Sequence, residues 1–266
     1  MTRLRSALAA SAAMATLVAA LPALADGPSV SPVIYEPAEI VSEDDFWAGM
    51  YAGLFFGMGA SSHELFIDID GADRFTHTED GIGGTGALVG ARAGFDFRLG
   101  SSSIFGIGLD ASFGDISSNS TTLYRPVAGG QLEVTNDISV DSMYALTGRI
   151  GRVVSENTLI YGVAGWAMAD MTVNANYSSD ALISAGPPPV PAFSGMPGAF
   201  SVEDTVSGAT IGLGMETRLG ERTSVGVEYR YTDLDGMTIY DPVGFTQVQM
   251  PSTALQTFTA GLNVRF

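Results

Sequence analysis

The sequence holds few side chains able to carry out a reaction. It has two histidines, His63 and His77, and no cysteine, which excludes thiol catalysis, disulfides and thiolate metal sites. The segment Ser61-Ser62-His63-Glu64 combines a hydroxyl, an imidazole and a carboxylate, the residue types of nucleophilic acyl transfer. Both histidines fall in a polar segment, 61–85, that we interpret as an exposed loop, where such residues need no catalytic role. We therefore expect no catalytic residue, with catalysis at His63 as the alternative.

Two other motifs resemble ligand sites only in part. The acidic run from Asp68 to Asp73 lacks the D-x-D-x-D-G order and the distal glutamate of a calcium loop. The glycine-rich run from Gly81 to Gly86 leads into a predicted strand, whereas a phosphate loop leads into a helix. We expect neither a metal site nor a bound cofactor.

The composition limits the class of protein. Of the 266 residues, 46% are hydrophobic, only 15% are charged and 33 are glycine, which is too apolar for a disordered chain. The net charge is −17 and all 12 cationic residues are arginine. Such an acidic chain would be repelled by phosphates, so nucleic-acid partners are excluded.

The first 45 residues differ from the rest. Arg3 and Arg5 precede an apolar stretch, 7–21, and Ala23-Leu24-Ala25 fits a cleavage site, so we predict a cleaved signal peptide over residues 1–25. Residues 26–45 are rich in proline and acid and are predicted to form a flexible leader. No later run of 18 apolar residues exists, so a membrane-embedded chain would have to form a β-barrel.

From residue 46 onward, apolar and polar residues alternate in runs long enough to cross a bilayer as strands. The eight runs are Phe46 to Ala60, Gly86 to Leu99, Ile104 to Gly114, Ser139 to Val153, Thr158 to Asp170, Thr205 to Leu219, Thr223 to Thr232, and Thr253 to Phe266. Short and long connections alternate between them, with long ones over 61–85, 115–138, 171–204 and 233–252. This layout predicts an all-β fold over residues 46–266: an eight-stranded antiparallel up-and-down transmembrane barrel with short periplasmic turns and four long extracellular loops.

The energetics of lipid contact indicate which face looks inward. In the last run, alternate residues from Phe258 to Phe266 are apolar, and the residues between them are polar or glycine up to Arg265. An arginine at the membrane midplane costs about 2–4 kcal/mol, so the charged face must look inward. Glycines on that face would make room for arginine side chains. A soluble barrel with an apolar interior would instead expose the charges, and the run at 158–170 is apolar on both faces, which leaves its orientation open.

The inward charges should pair, because an unpaired buried charge is costly. The predicted network comprises Arg92, Asp96, Asp110, Arg149, Glu216, Arg218, Glu228 and Arg230. The short turn after Leu99 would place either Arg92 or Gly94 opposite Asp110. Glu216 and Glu228 should lie at similar heights, with an arginine between them. Eight strands leave little free lumen, which favours a filled core over an ion or proton path.

Several sequence segments carry a family resemblance. They are Trp47 to Gly53, Arg149 to Gly162, Gly212 to Glu216, Val227 to Leu234, and Gly261 to Phe266. In this order they resemble the small eight-stranded outer-membrane β-barrel proteins of Gram-negative bacteria, including the opacity-like surface antigens. The resemblance implies a bacterial outer-membrane location, a periplasmic position for the leader, and a role for Phe266 as the signal read by the barrel-assembly machinery. It names no reaction, although some barrels of this size modify lipid A.

We therefore expect a structural or surface protein rather than an enzyme. Its partners would be outer-membrane lipids, lipopolysaccharide, the barrel-assembly machinery and an unidentified surface ligand of the acidic loops. A narrow channel for small solutes is the first alternative, and a lipid A-modifying enzyme is the second.

Overall fold

The computed structural model describes residues 46–68, 76–125, 130–179, 182–183, 190–191, 199–240 and 247–266. The predicted signal peptide, the leader and most of the acidic motif at 68–73 lie outside these ranges. Ten strands are described: β1 (Gly49–Asp68), β2 (Thr76–Leu99), β3 (Ser103–Tyr124), β4 (Leu132–Ser155), β5 (Thr158–Ser179), β6 (Leu182–Ile183), β7 (Val190–Pro191), β8 (Ala199–Arg218), β9 (Thr223–Tyr240) and β10 (Gln247–Arg265).

Eight of these strands close into one antiparallel barrel. Its order is β1-β10-β9-β8-β5-β4-β3-β2, and each of the eight predicted runs overlaps one barrel strand. The first and last strands complete the ring, with Tyr51 opposite Arg265. The short β6 and β7 pair with each other in a separate ladder. In the described ranges, no helix is long and apolar enough to cross a membrane. The predicted fold class is confirmed.

The strands extend much further than predicted at the end with the long connections. β4 begins at Leu132, not at 139, and β2 begins at Thr76, not at 86. Much of each predicted long loop is therefore strand, and the loop boundaries at 61–85, 115–138, 171–204 and 233–252 were wrong. Three short turns occur at the opposite end, as predicted, and Gly100 takes a positive φ of 69° in the first of them.

The extensions were missed because their polarity is inverted. In the lower part of β4, the outward side chains Tyr144, Leu146 and Ile150 are exposed and apolar. In the upper part, Ile138 is buried inside the barrel, while its outward neighbour Asp137 is partly exposed. Alternation continues on each side of a register irregularity between Val140 and Ser142, and the apolar residues are on the outer face below it and on the inner face above it.

The burial of alternate side chains also resolves the orientation of β5, which the sequence left open. Leu159, Tyr161 and Val163 face inward and are buried, whereas Ile160 and Trp166 face outward and are about half exposed. The outer surface of the lower barrel is thus an apolar belt, and the interior there holds the polar groups. The upper barrel has a mostly polar outer surface and a mostly apolar interior, which also encloses a few polar side chains such as Asn136.

Candidate functional site

Four charged side chains form an ion cluster low in the barrel, which we call the lower tier. Arg149 binds Asp96 in a bidentate contact, with its Nε 2.7 Å from Oδ1, and its Nη1 lies 3.4 Å from Glu216. Arg265 binds the same two acids, with Nη1 2.9 Å from Asp96 and Nη2 3.0 Å from Glu216. All four are at most 6% exposed. Two arginines and two carboxylates make this buried cluster electrically neutral.

A second neutral cluster, the upper tier, lies above the first. Arg230 approaches Asp110 to 2.8 Å through Nη2 and Glu228 to 2.6 Å through Nε. Arg92 lies 3.5 Å from each of the same two carboxylates. The two tiers meet at Tyr161, whose hydroxyl donates to Glu228 at 2.8 Å and whose ring lies 5.2 Å from the Arg149 guanidinium.

Aromatic rings occupy the space that the inward glycines leave open. A Cβ at Gly94 would lie 2.5 Å from the Tyr51 ring, and one at Gly214 would lie 2.4 Å from Tyr161. Tyr51 in turn packs against Arg149, with 4.3 Å between guanidinium and ring centroid. The glycines were predicted to make room for arginine; at these two positions they make room for the rings on which arginine stacks.

The predicted network is present in part. Arg92 lies opposite Asp110, and Gly94 lies opposite Gly108 instead, so the first of the two proposed registers is the one observed. Arg218 lies apart from both tiers, because its Nε donates to the Gly220 carbonyl at 2.8 Å and its guanidinium stacks on Phe46.

The height predicted for the two glutamates was also inaccurate. Glu216 pairs with Gly226 and Glu228 pairs with Gly214, so the two acids occupy different rungs and belong to different tiers. Arg149 binds Glu216, and Arg230 binds Glu228. Arg265 completes the lower tier although it was missing from the predicted network, and its place on the inward face of the last run was the available signal.

The interior is closed by apolar side chains on both sides of the tiers. At the short-turn end, Trp47, Ile104 and Leu159 are at most 2% exposed, and Arg265 donates to the Trp47 carbonyl at 3.2 Å. At the other end, a large apolar cluster fills the extension. Its buried members include Ile116, Ile138, Val140, Met143, Met171, Leu234 and Leu255.

Two cavities inside the described barrel are small. One of about 20 Å³ lies at the upper tier beside Arg92 and Glu228, and one of about 10 Å³ lies above it beside Ile116 and Leu255. A single water needs about 10–15 Å³ when measured this way. These volumes are far below what a continuous aqueous path requires.

His63 lies on β1 rather than in a loop, contrary to the prediction. It is 1% exposed, and its Nδ1 and Nε2 lie 2.9 Å from the Thr253 hydroxyl and 3.0 Å from the Ser61 hydroxyl. Buried between two hydroxyls inside the extension, the ring has no direct access to a substrate outside the barrel. Within the described ranges, no group of three or more histidine, aspartate and glutamate side chains could hold a metal ion.

Burial gives His63 a testable pH dependence. It lowers the pKa of His63 from 6.5 to about 4, so the folded protein keeps the ring neutral where an unfolded chain protonates it. The free energy of unfolding is therefore highest above pH 6.5. It falls by up to about 3 kcal/mol as the pH drops toward 4. We expect urea unfolding in lipid vesicles to show this loss in the wild type relative to His63→Gln. Parallel pH profiles for the two proteins would contradict it.

An antiparallel barrel with an apolar outer belt, a charged interior and short turns at one rim defines the class of transmembrane outer-membrane β-barrels. The sequence matches the family model described as outer membrane protein beta-barrel domain over residues 9–266. The chain belongs to this family and resides in the bacterial outer membrane, where its belt contacts membrane lipids.

Three solved barrel structures match this chain over most of its length. The chain is 10% identical to Neisserial surface protein A, with 82% of this chain and 98% of that one covered and a TM-score of 0.41. It is 15% identical to OprG of Pseudomonas aeruginosa, with 82% and 97% covered and a TM-score of 0.45. It is 7% identical to the outer membrane protease OmpT of Escherichia coli, with the same coverage and TM-score as OprG. No curated protein matches the sequence.

Proposed function

We propose that this protein is a non-conducting, non-enzymatic surface protein of the outer membrane. The observation that carries the proposal is the filled interior: apolar side chains, two neutral ion tiers and a second apolar cluster follow one another along the barrel axis. A buried ion cluster of this kind fills space and fixes the packing of the strands, and it supplies no open path for solute.

The extension gives the surface role a physical basis. Above Tyr144, residues 132–143 of β4 remain strand, which corresponds to a rise of roughly 30 Å beyond the belt for a strand tilted by about 40°. The apolar cluster inside makes this extension a packed structure rather than a set of loops. We infer that it presents a packed surface beyond the outer leaflet, where a surface ligand reaches it.

The outer surface of the extension favours particular partners. Exposed carboxylates follow the belt on neighbouring strands, including Asp115, Asp141, Asp170 and Asp204. Next to a phosphate-bearing lipopolysaccharide leaflet, such carboxylates suit divalent-cation bridging or a cationic ligand. At the other rim, Phe266 is 74% exposed and its backbone N–H donates to Met50 at 2.9 Å, a position that suits recognition by the barrel-assembly machinery.

Planar-bilayer recording tests the non-conducting role. The purified barrel, shown to be folded by heat-modifiable gel mobility, is expected to give no steady conductance, because the tiers and apolar clusters block the lumen. The alternative of a narrow channel predicts steady conductance that changes when Arg92 or Glu228 of the upper tier is replaced by alanine. Conductance with that dependence would refute the proposal.

A further inference from the structure

The outer surface of the barrel carries a groove at the extracellular end of the apolar belt. It has a volume of about 480 Å³ and crosses four strands, β9, β10, β1 and β2. The side chains that form it include Met58, Ala60, Ala87, Tyr229, Gln256 and Phe258. This volume lies within the range of about 300–1,000 Å³ that is usual for small-molecule sites.

The groove exists because small residues occupy the middle of the sheet at this height. Ala60 lies opposite Gln256 on one side and Thr85 on the other, and one step lower Met58 lies opposite Phe258 and Ala87. The large side chains of Met58 and Phe258 are 64% and 56% exposed and form the lower wall. The floor is therefore made of alanine side chains and backbone between longer apolar side chains.

The same small residues interrupt a band of aromatic side chains. Elsewhere around the outer end of the belt, outward aromatic residues are about half exposed, as expected for the interfacial girdle of a membrane barrel. They are Phe113, Tyr144, Trp166 and Tyr231. On β1 and β2 the corresponding surface carries Ala60 and Ala87 instead. Space that an aromatic ring would fill is left open to the membrane here.

A polar pair marks the upper edge of the groove. The Tyr229 hydroxyl donates to Oε1 of Gln256 at 2.8 Å. With that oxygen occupied, the amide nitrogen of Gln256 has two hydrogens to donate to a carbonyl outside the protein. Ester and amide carbonyls of membrane lipids lie at this depth, between the hydrocarbon and the headgroups. None of the groove residues is cationic, so a phosphate is not the group recognised.

We propose that the groove binds an acyl chain of an outer-leaflet glycolipid of the lipid A type, with Gln256 donating to the carbonyl that links the chain to its sugar. The apolar floor and walls cover the chain, and the Tyr229–Gln256 pair fixes its polar end. The outer leaflet supplies this occupant at the height where the groove lies. The inference deepens the proposed contact with lipopolysaccharide and rests on it, but it does not depend on the absence of conductance.

Native mass spectrometry of the full chain in detergent, with added lipid A, tests this site. We expect one lipid A per barrel to stay bound, and Ala87→Phe, which fills the groove, to reduce the retained fraction by about tenfold. Ala93→Phe is the matched control, because Ala93 is an exposed outward alanine lower on the same strand and outside the groove. Gln256→Leu should weaken retention less than Ala87→Phe.

Three outcomes would overturn the proposal. The first is equal retention by the wild type and Ala87→Phe, and the second is equal loss in Ala93→Phe. The third is a dimer that Ala87→Phe abolishes, which would make a second copy of the chain the occupant. Phosphatidylethanolamine is added as a competitor in a further experiment. If it displaces lipid A at equal concentration, the proposal of a glycolipid site is refuted. Because conductance is measured separately, failure of this site and failure of the non-conducting role are distinguishable.

Discussion

Replacing Asp96 with asparagine is expected to lower the free energy of unfolding by about 3–5 kcal/mol. Asp96 is fully buried and binds both arginines of the lower tier. Without its charge, Arg149 and Arg265 share only Glu216, and one positive charge stays buried without a counter-ion. Urea unfolding in lipid vesicles, followed by tryptophan fluorescence, measures the change.

Two variants make this result specific. Asp141→Asn removes an exposed carboxylate outside the belt and should change the free energy of unfolding by less than about 0.5 kcal/mol. Asp96→Asn combined with Arg265→Gln restores neutrality, so the double variant should be more stable than the sum of the two single losses predicts, by about 0.5–3 kcal/mol. Strict additivity would show that charge balance in the tier does not govern its stability.

Replacing Ile138 with aspartate is expected to open the extension while the membrane part stays folded. Ile138 is 1% exposed and belongs to the apolar cluster above the tiers. An unpaired carboxylate there costs at least about 3 kcal/mol, which corresponds to an increase of about 100-fold in the population of the opened state. Limited proteolysis of intact cells should therefore cleave the extension about 100-fold faster, with heat-modifiable mobility of the membrane part retained.

The adjacent outward residue supplies the matched control. Ser139→Asp introduces the same charge one position along β4, on the polar face and partly exposed, so protease resistance should be close to that of the wild type. Equal sensitivity of the two variants would mean that the extension is not packed around an apolar interior. The proposal of a packed extension that presents its surface to a ligand would then fail.

The sequence was sufficient to predict the number of strands, the barrel and the inward charges. Alternation identifies a strand, and the cost of charge in lipid selects the inner face. Pairing of Arg92 with Asp110 was therefore one of two predicted registers, and it is the one that the structure has. The extensions were not predicted, because above the belt the solvent changes from lipid to water and the apolar residues exchange faces. A search for alternation without a fixed face would have found residues 132–140 of β4.

The composition of each tier was harder to predict. Register between sequential strands follows from short turns, but a tier joins strands that are distant in the ring. Arg149 on β4 reaches Asp96 on β2, and Arg265 on β10 reaches Asp96 from the other side. Such cross-lumen contacts depend on barrel shear and on the aromatic rings between them. Neither the shear nor the ring positions can be derived from the register of neighbouring strands.

The composition of the lower tier also bears on how the ring of strands closes. Asp96, Arg149 and Glu216 belong to β2, β4 and β8, while Arg265 is the last residue of β10. Without β10 this tier holds two carboxylates and one arginine, whereas every member of the upper tier comes from β2, β3 or β9. β10 is also the strand that closes the ring against β1, with Arg265 opposite Tyr51. A seam in a shifted register would leave a buried carboxylate charge unmatched, so the electrostatics of the tier favour the observed pairing of β1 with β10.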